Sequence, residues 1–267
     1  MPRADHNLQE MKKISHPKLV RSKAESAQIK NLKQRLVDAL QVITGEGVLS
    51  GSGHLSARIP GTEIFLINPR FAGVLADTKD ICTVNFDGQR IAGKGPIPSE
   101  TPIHATVYRH RPDVQSVLHC HARYSILVGL LDSGLIPFNR EARIFADGVP
   151  VFPDSHGINS FGLARRMVDT LGQHYAVFLR GHGTVVVGPG IEGTCISAIQ
   201  LERACQDQLL MMSLTTVKPM SDSGRGRVNA RLENPYRAWP FLLHQHKVKS
   251  KAQIRAGIRT LKEGEHY

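Results

Sequence analysis

The stretch at residues 99–125 reads SETPIHATVYRHRPDVQSVLHCHARYS and combines an early glutamate, Glu100, with a His-X-His pair. The pair is His119 and His121. Side chains alternate between the two faces of a β-strand, so both imidazoles would point to one face and Cys120 to the other. Two imidazoles at this spacing can reach one metal ion, whereas Cys120 is interpreted as a small core residue.

A third histidine, His182, lies between glycines in LRGHGTVVVG, where the backbone can turn tightly and approach closely. Three neutral imidazoles with an open fourth position are typical of catalytic zinc, and iron, manganese or cobalt also suit such ligands. We therefore expect one divalent ion per subunit, zinc ahead of the others. Glu100 would then be free to act as a general acid or base beside the ion.

The elements that must position these residues can be predicted from local patterns. Ser99 can cap a helix that starts at Glu100, and Arg111 ends it because a proline follows. On that helix His104 and Tyr108 share one face. The segment VQSVLHCH that follows is predicted to be a strand. His54, His104, His110 and His156 have no ligand spacing and are interpreted from the residues alone as structural or exposed.

The remaining pattern mixes helices with hairpins. SAQIKNLKQRLVDALQVITGEG is an amphipathic helix with a glycine stop, IEGTCISAIQLERACQDQLLMMSLTT is a long helix, and ICTVNFDGQRIAG has an Asp-Gly hairpin signal. GSGHLS begins a strand and not a helix, so it is a poor dinucleotide fingerprint. We expect an α/β fold with a mixed or mainly antiparallel sheet covered by helices.

Charge divides the chain into three parts. The net charge of +11 resides at the two ends, because residues 1–35 carry a net +6, residues 218–267 a net +7, and the middle a net −2. We predict a basic polar arm at 1–25, a catalytic domain at 26–217 and a basic extension at 218–267. Solvated tails are the favoured interpretation, with a polyanion contact or a role in oligomer assembly as the alternative; nucleic acid is not the expected partner.

Several classes of protein are not expected from composition. No apolar run has the length of a membrane span, and the first residues lack the apolar segment of a secretory signal. The four cysteines have no paired spacing, which favours reduced thiols over a disulfide scaffold. We expect a cytoplasmic protein without a membrane partner.

Three segments together resemble the class II aldolase/adducin family. They are GSGHLSARIPGTEIFLINP, the histidine-rich stretch quoted first, and LRGHGTVVVGPGIEGTCISAIQLE, in the family's order and at its spacing over about residues 28–214. The resemblance implies that His119, His121 and His182 are metal ligands and that Glu100 is the acid/base, or an extra ligand in some members. It also implies a single three-layer α/β/α domain with a central mixed, mainly antiparallel sheet, and a homotetramer with active sites near subunit boundaries.

The sequence departs from the family's phosphate-binding pattern. His54 stands where an asparagine is expected, and Arg70 where a small residue is expected. With Arg123 and Arg180, which flank the matched motifs, these residues are candidates for binding the substrate. An arginine fork matches a carboxylate in two-point contact, so an unphosphorylated carboxylate or carbonyl substrate is favoured.

The predicted activity is a metal-dependent lyase that cleaves a carbon–carbon bond. Decarboxylation of a hydroxylated aromatic or heteroaromatic carboxylate is favoured, because the phosphate cradle is largely missing and the RGHG and GH-x-S segments resemble those of decarboxylases. The alternatives are an aldolase acting on a sugar or sugar phosphate, an Fe(II) oxygenase performing oxidative decarboxylation, and an adducin-like scaffold without activity.

Overall fold

The computed structural model describes residues 23–70, 73–220 and 238–247. Within these ranges six α-helices and eight strands alternate with two 3-10 turns. The helices are α1 (Lys23–Gly45), α2 (Thr101–His110), α3 (Arg123–Val128), α4 (Phe161–Leu171), α5 (Ile191–Met212) and α6 (Trp239–Lys247). The strands are β1 (His54–Arg58), β2 (Ile64–Ile67), β3 (Cys82–Asn85), β4 (Arg90–Ala92), β5 (Ser116–Cys120), β6 (Val151–Phe152), β7 (Ala176–Leu179) and β8 (Gly183–Gly188).

The eight strands form one sheet in the order β4-β3-β2-β1-β5-β8-β7-β6. Every neighbouring pair is antiparallel except β6 and β7, which run parallel. The expected mixed, mainly antiparallel sheet is confirmed. So is the hairpin at Asp87-Gly88, which joins β3 to β4; Gly88 has a φ of 77°, a conformation that glycine adopts without strain.

Alternation along the strands produces two apolar layers, one on each face of the sheet. Leu118 and Cys120 of β5 pack with α1 and α5, whereas Val117 packs with α2 and α4 on the opposite face. Cys120 is buried, as a core residue in this position should be. His119 takes the same face as Val117, so the strand directs this imidazole toward α2.

Two local boundaries differ slightly from the sequence prediction. Helix α2 begins at Thr101, and Glu100 occupies the N-cap position without a side-chain cap bond, so Ser99 does not cap the helix. Strand β5 ends at Cys120, which leaves His121 just beyond the sheet. Both shifts place a functional candidate where regular hydrogen bonding stops and the side chain can turn toward the others.

Helix α6 lies within the predicted basic extension, and it packs on α1. The His246 imidazole lies 2.7 Å from the Glu46 carboxylate, and Arg203 of α5 lies 2.6 Å from the same side chain. Most of the predicted arm and of the extension lies outside the described residues. Among the helices described here, none has both the length and the apolarity to cross a bilayer.

The sheet brings β8 unusually close to the end of β5. A Cβ atom at Gly183 would lie 2.5 Å from the carbonyl oxygen of Cys120 and 3.0 Å from a ring carbon of His121. Backbone cannot move away without breaking the ladder between these strands. Glycine at this position is therefore a packing requirement of the sheet.

We expect Gly183→Ala to lower the free energy of unfolding by about 1–3 kcal/mol, the usual effect of forcing extra volume into a packed interior. Urea denaturation measures this. Gly162→Ala is the matched control, because a Cβ there meets nothing within 4 Å in helix α4 and alanine favours a helix. A Gly183→Ala protein that unfolds at the wild-type urea concentration would contradict the packing requirement.

Candidate metal centre

Three imidazoles from three different backbone positions converge at the ends of β5 and β8. The Nε2 atom of His121 lies 3.1 Å from Nε2 of His119 and 3.2 Å from Nε2 of His182. Nitrogens bound to one zinc ion at about 2.0–2.1 Å in a tetrahedral site are themselves about 3.3 Å apart. These two spacings fit a single ion of this size, and the candidate ligand atoms of all three rings lie within 4.8 Å of one another.

Hydrogen bonds to the other ring nitrogens show which atoms are available as ligands. The Nδ1–H of His119 donates to the carbonyl oxygen of Thr184 over 3.1 Å, so a neutral His119 carries its lone pair on Nε2. The Nδ1 atom of His121 lies 3.0 Å from the hydroxyl of Ser52. The buried Nδ1 of His182 has no hydrogen-bond partner among the described residues, so no neighbour there fixes its tautomer.

Glu100 completes the cluster from the start of α2. Its carboxylate oxygens lie 3.2 Å from Nε2 of His119 and 3.7 Å from Nε2 of His182. The backbone N–H of Ile158 also donates to it, over 2.7 Å. Burial by itself raises the pKa of the Glu100 carboxyl, but the neighbouring imidazoles of His119 and His54 outweigh it and hold the pKa well below its ordinary value.

Two histidines of the cluster, His121 and His182, are held in their neutral forms. Burial lowers the pKa of His121 to about 4, and the neighbouring His119 and His182 lower it further in the same direction. Burial and His119 also lower the pKa of His182. At pH 7 both rings therefore have a lone pair to offer, which is the form that binds a metal.

The candidate ligand atoms of Glu100, His119, His121 and His182 all lie within 4.8 Å of one another. Lone pairs and a carboxylate at such distances repel unless a cation lies among them. A proton relieves part of this repulsion, but one divalent ion relieves it for all four groups. The donor set is nitrogen with one carboxylate, which suits zinc, iron, manganese or cobalt.

A polar cavity of about 140 Å³ opens beside the cluster. Its walls carry hydroxyl, imidazole, carboxylate and guanidinium groups, supplied by Ser52, Gly53, His54, Arg70, Pro98, Ser99, Glu100 and His121. Two of the residues predicted to bind substrate, His54 and Arg70, therefore share a cavity with the predicted acid/base. The cavity has the polar walls that a small anion or hydroxylated molecule needs.

The other two substrate-binding candidates lie elsewhere. Arg123 is the exposed first residue of α3, and Arg180 is exposed in the turn before Gly181. Neither lines the cavity described above. Their assignment to the substrate stays a prediction without support from these positions.

Sequence reasoning missed a buried polar row behind His54. The Nδ1 atom of His54 lies 2.6 Å from Nε2 of His104, and the hydroxyl of Ser56 lies 2.6 Å both from Nδ1 of His104 and from the hydroxyl of Tyr108. The signal for it was present in part, because His104 and Tyr108 follow Glu100 at intervals of four residues on one helix face. The contribution of Ser56 depends on strand pairing and could not be inferred locally.

Comparison with known proteins agrees with this geometry. The model of the class II aldolase and adducin N-terminal domain matches residues 34–209. A 3,4-dihydroxyphthalate decarboxylase of Arthrobacter keyseri is 29% identical over 185 residues, which cover 64% of this chain and 74% of the relative.

Solved structures share the fold. An L-fuculose 1-phosphate aldolase from Glaciozyma antarctica superposes with a TM-score of 0.74 at 25% identity, covering 86% of this chain and 94% of that one. An aldolase II superfamily protein from Pseudomonas syringae gives a TM-score of 0.74 at 23% identity, covering 84% of this chain and 94% of that one. The latter likeness bears on the fold alone.

We expect His119→Ala, His121→Ala and His182→Ala each to lower the bound divalent metal, because each removes one of three converging nitrogens. Elemental analysis of protein purified with zinc measures the metal per chain. His110→Ala is the control, since its ring contacts the carbonyl of Thr106 on the helix α2 and not the cluster. Equal zinc content in all four variants would show that the cluster is not a metal site.

Proposed function

The chain belongs to the class II aldolase and adducin N-terminal domain family, and from that premise we propose that it is a divalent-metal-dependent lyase that cleaves a carbon–carbon bond. Decarboxylation of a hydroxylated aromatic or heteroaromatic carboxylate is the reaction we favour. The observation that carries the proposal is the convergence of His119, His121 and His182 beside Glu100, within 4.8 Å of one another.

His119, His121 and His182 would hold the ion, with the Glu100 carboxylate beside it. When bound, a divalent cation next to a substrate oxygen stabilises the negative charge that develops as the carbon–carbon bond breaks. The neutral state of His121 and His182 supports this role. Thr184 and Ser52 supply hydrogen-bond partners that orient two of the three rings.

Glu100 would move the proton. Its pKa is held low, so its carboxylate starts ionised. In that state Glu100 would take the proton of a bound substrate hydroxyl as the general base. Heterolysis of the bond to the carboxylate releases carbon dioxide and leaves the electron pair on the ring carbon. The proton on Glu100 then passes to that carbon, which returns Glu100 to its ionised state and balances the reaction.

The residues that line the cavity favour an anionic substrate. The sequence departs from the family's phosphate-binding pattern, so this anion need not be a phosphate. Arg70 and His54 line the same space as Glu100, so a cation and an imidazole face the acid/base across a small volume. A guanidinium matches a carboxylate in two-point contact. The decarboxylase of Arthrobacter keyseri acts, by its name, on a dihydroxylated dicarboxylate, which is consistent with these walls.

A second candidate is aldol cleavage of a sugar phosphate. It is favoured by the likeness to the L-fuculose 1-phosphate aldolase, which covers 86% of this chain. The same cluster serves that reaction, because both reactions leave an electron pair on a carbon next to an oxygen held in the site. The two reactions are therefore distinguished by which substrate the protein turns over. A homo-oligomer, with a tetramer expected, stays a prediction for either activity.

A direct comparison of substrates tests the proposal. Zinc-, iron-, manganese- and cobalt-loaded protein would be assayed with 3,4-dihydroxyphthalate, other hydroxy-carboxylates and L-fuculose 1-phosphate, with carbon dioxide, aldehyde and oxygen measured. Carbon dioxide release without oxygen uptake is the expected result. Aldehyde from the sugar phosphate alone would replace it with the aldolase, and oxygen uptake with iron would replace it with the oxygenase. A folded protein that binds none of the four metals and turns over none of these substrates would favour the scaffold.

We expect Glu100→Gln to retain its zinc and its fold but to lose about 10²–10⁴-fold in turnover, the usual contribution of a general acid or base. The amide keeps the shape of the carboxylate and cannot accept or return the proton. Steady-state rates and elemental analysis on the same preparation measure both quantities. Glu63→Gln, an exposed matched change, is the control. Near wild-type turnover in Glu100→Gln would make Glu100 a structural residue.

A further inference from the structure

A continuous row of short polar contacts leads from the cavity wall into the core. It runs from His54 through His104 and Ser56 to Tyr108, with each successive pair of heteroatoms 2.6 Å apart. All four side chains are buried, at 3%, 0%, 0% and 1% exposure. The contacts between these four side chains lie away from bulk water, so within the row they must satisfy one another.

Each contact in the row requires one donor and one acceptor. Two N–H groups cannot face each other at 2.6 Å, and two lone pairs repel at that distance, so exactly one hydrogen lies between the rings of His54 and His104. The same holds between His104 and Ser56. Only two directions of donation are therefore available along the whole row.

In the first direction, donation runs from the core to the cavity. The Tyr108 hydroxyl donates to Ser56, the Ser56 hydroxyl to Nδ1 of His104, and Nε2–H of His104 to Nδ1 of His54. His54 then carries its remaining hydrogen on Nε2. That atom lies 3.9 Å from a carboxylate oxygen of Glu100, so a donor faces an acceptor.

The reverse direction leaves a poorer contact at the cavity end. His54 would donate from Nδ1, and its Nε2 lone pair would face the Glu100 carboxylate. At the other end the Ser56 hydroxyl would have to donate to the carbonyl of Val117 over 3.5 Å or toward the Tyr108 oxygen. Both directions can use the three contacts of 2.6 Å, but only the first places a donor and not a lone pair toward the Glu100 carboxylate, so it is the more stable arrangement.

We propose that the row of Tyr108, Ser56 and His104 fixes His54 as the Nε2–H tautomer, so that His54 presents a hydrogen-bond donor to an anionic oxygen of the substrate at the Glu100 edge of the cavity. Ser56, His104 and Tyr108 are thus positioning residues that act through His54. The assignment of the recipient oxygen rests on the proposed function, whereas the tautomer itself does not.

The chemical consequence is a neutral donor beside an acid/base. In the first direction Nδ1 of His54 accepts from His104, so the ring gives one directed N–H from Nε2. The ligand class that fits this donor together with Arg70 is a small molecule with a carboxylate or an enolate oxygen. A donor fixed in advance does not have to reorganise as negative charge develops on that oxygen.

The tautomer can be read without any substrate. Zinc-loaded protein labelled with ¹⁵N-histidine would be studied by long-range ¹H–¹⁵N correlation spectra, which distinguish the Nε2–H and Nδ1–H tautomers of neutral imidazole. His54→Phe and His104→Phe assign the two signals. The expected result is the Nε2–H tautomer for both rings. An Nδ1–H tautomer for His54 in the wild-type protein would overturn the proposal.

Variants test whether the row acts through His54. Ser56→Ala removes the donor to His104 and is expected to lower kcat/KM by about ten-fold, the effect of one lost hydrogen bond, mainly through KM. His54→Phe is expected to lower kcat/KM by about 10²-fold. Ser116→Ala, which removes another buried hydroxyl on the neighbouring strand, is the control and should change kcat/KM less than about two-fold.

The double variant decides between positioning and mere packing. In a His54→Phe background, Ser56→Ala should have little further effect on kcat/KM, because its influence passes through the missing ring. An equal loss in both backgrounds would overturn the positioning role. If Ser56→Ala does not fold, Tyr108→Phe replaces it, since it removes a single oxygen from the same row. The NMR result stands even if no substrate is turned over, so failure of the proposed activity is distinguished from failure of this inference.

Discussion

Three imidazole nitrogens and a carboxylate lie within 4.8 Å of one another, and these groups repel unless they share positive charge. The rest of the structure has to hold them together against this repulsion. The sheet supplies the force that holds them there. His119 is wholly buried on β5, and its Nδ1–H is tied to the neighbouring strand β8 through Thr184. Gly183 lets β8 approach the end of β5, which brings His182 to the same place. The apolar layers on both faces of the sheet stabilise the fold and offset the free-energy cost of holding these polar groups together.

The same sheet also separates the polar functions by face. Leu118 and Cys120 turn toward α1 and α5, so that face of β5 is apolar. The opposite face carries His119 and, one strand away in register, His54. Helix α2 covers this face and contributes Glu100 from its start and His104 from its next turn. The cluster and the row behind it are therefore two ends of one polar seam between a sheet and a helix.

The two ends of this seam differ in charge, because the cluster contains an ionised carboxylate and the row behind it is neutral. The Glu100 carboxylate stays ionised, while burial keeps His54 and His104 neutral, because desolvation lowers the pKa of both rings. Neutral groups cost less to bury than charged ones, yet still transmit direction through hydrogen bonds. A lyase that must stabilise developing negative charge gains from donors whose orientation is set before the substrate arrives. The cavity beside Arg70 offers such a place.

The sequence by itself determined the family, the mainly antiparallel sheet and the four cluster residues, because alternation in VQSVLHCH and glycine around His182 are local signals. Tertiary structure alone decided which other polar residues join them. His54 has no ligand spacing and was a substrate-binding candidate only through the family resemblance; strand pairing is what sets it opposite His119. Ser56 became part of the row only because β1 lies under α2. Arg123 and Arg180 do not line the cavity, although they flank the matched motifs. Local patterns fix period and direction along one element, whereas contacts between elements distant in sequence depend on how the sheet is ordered.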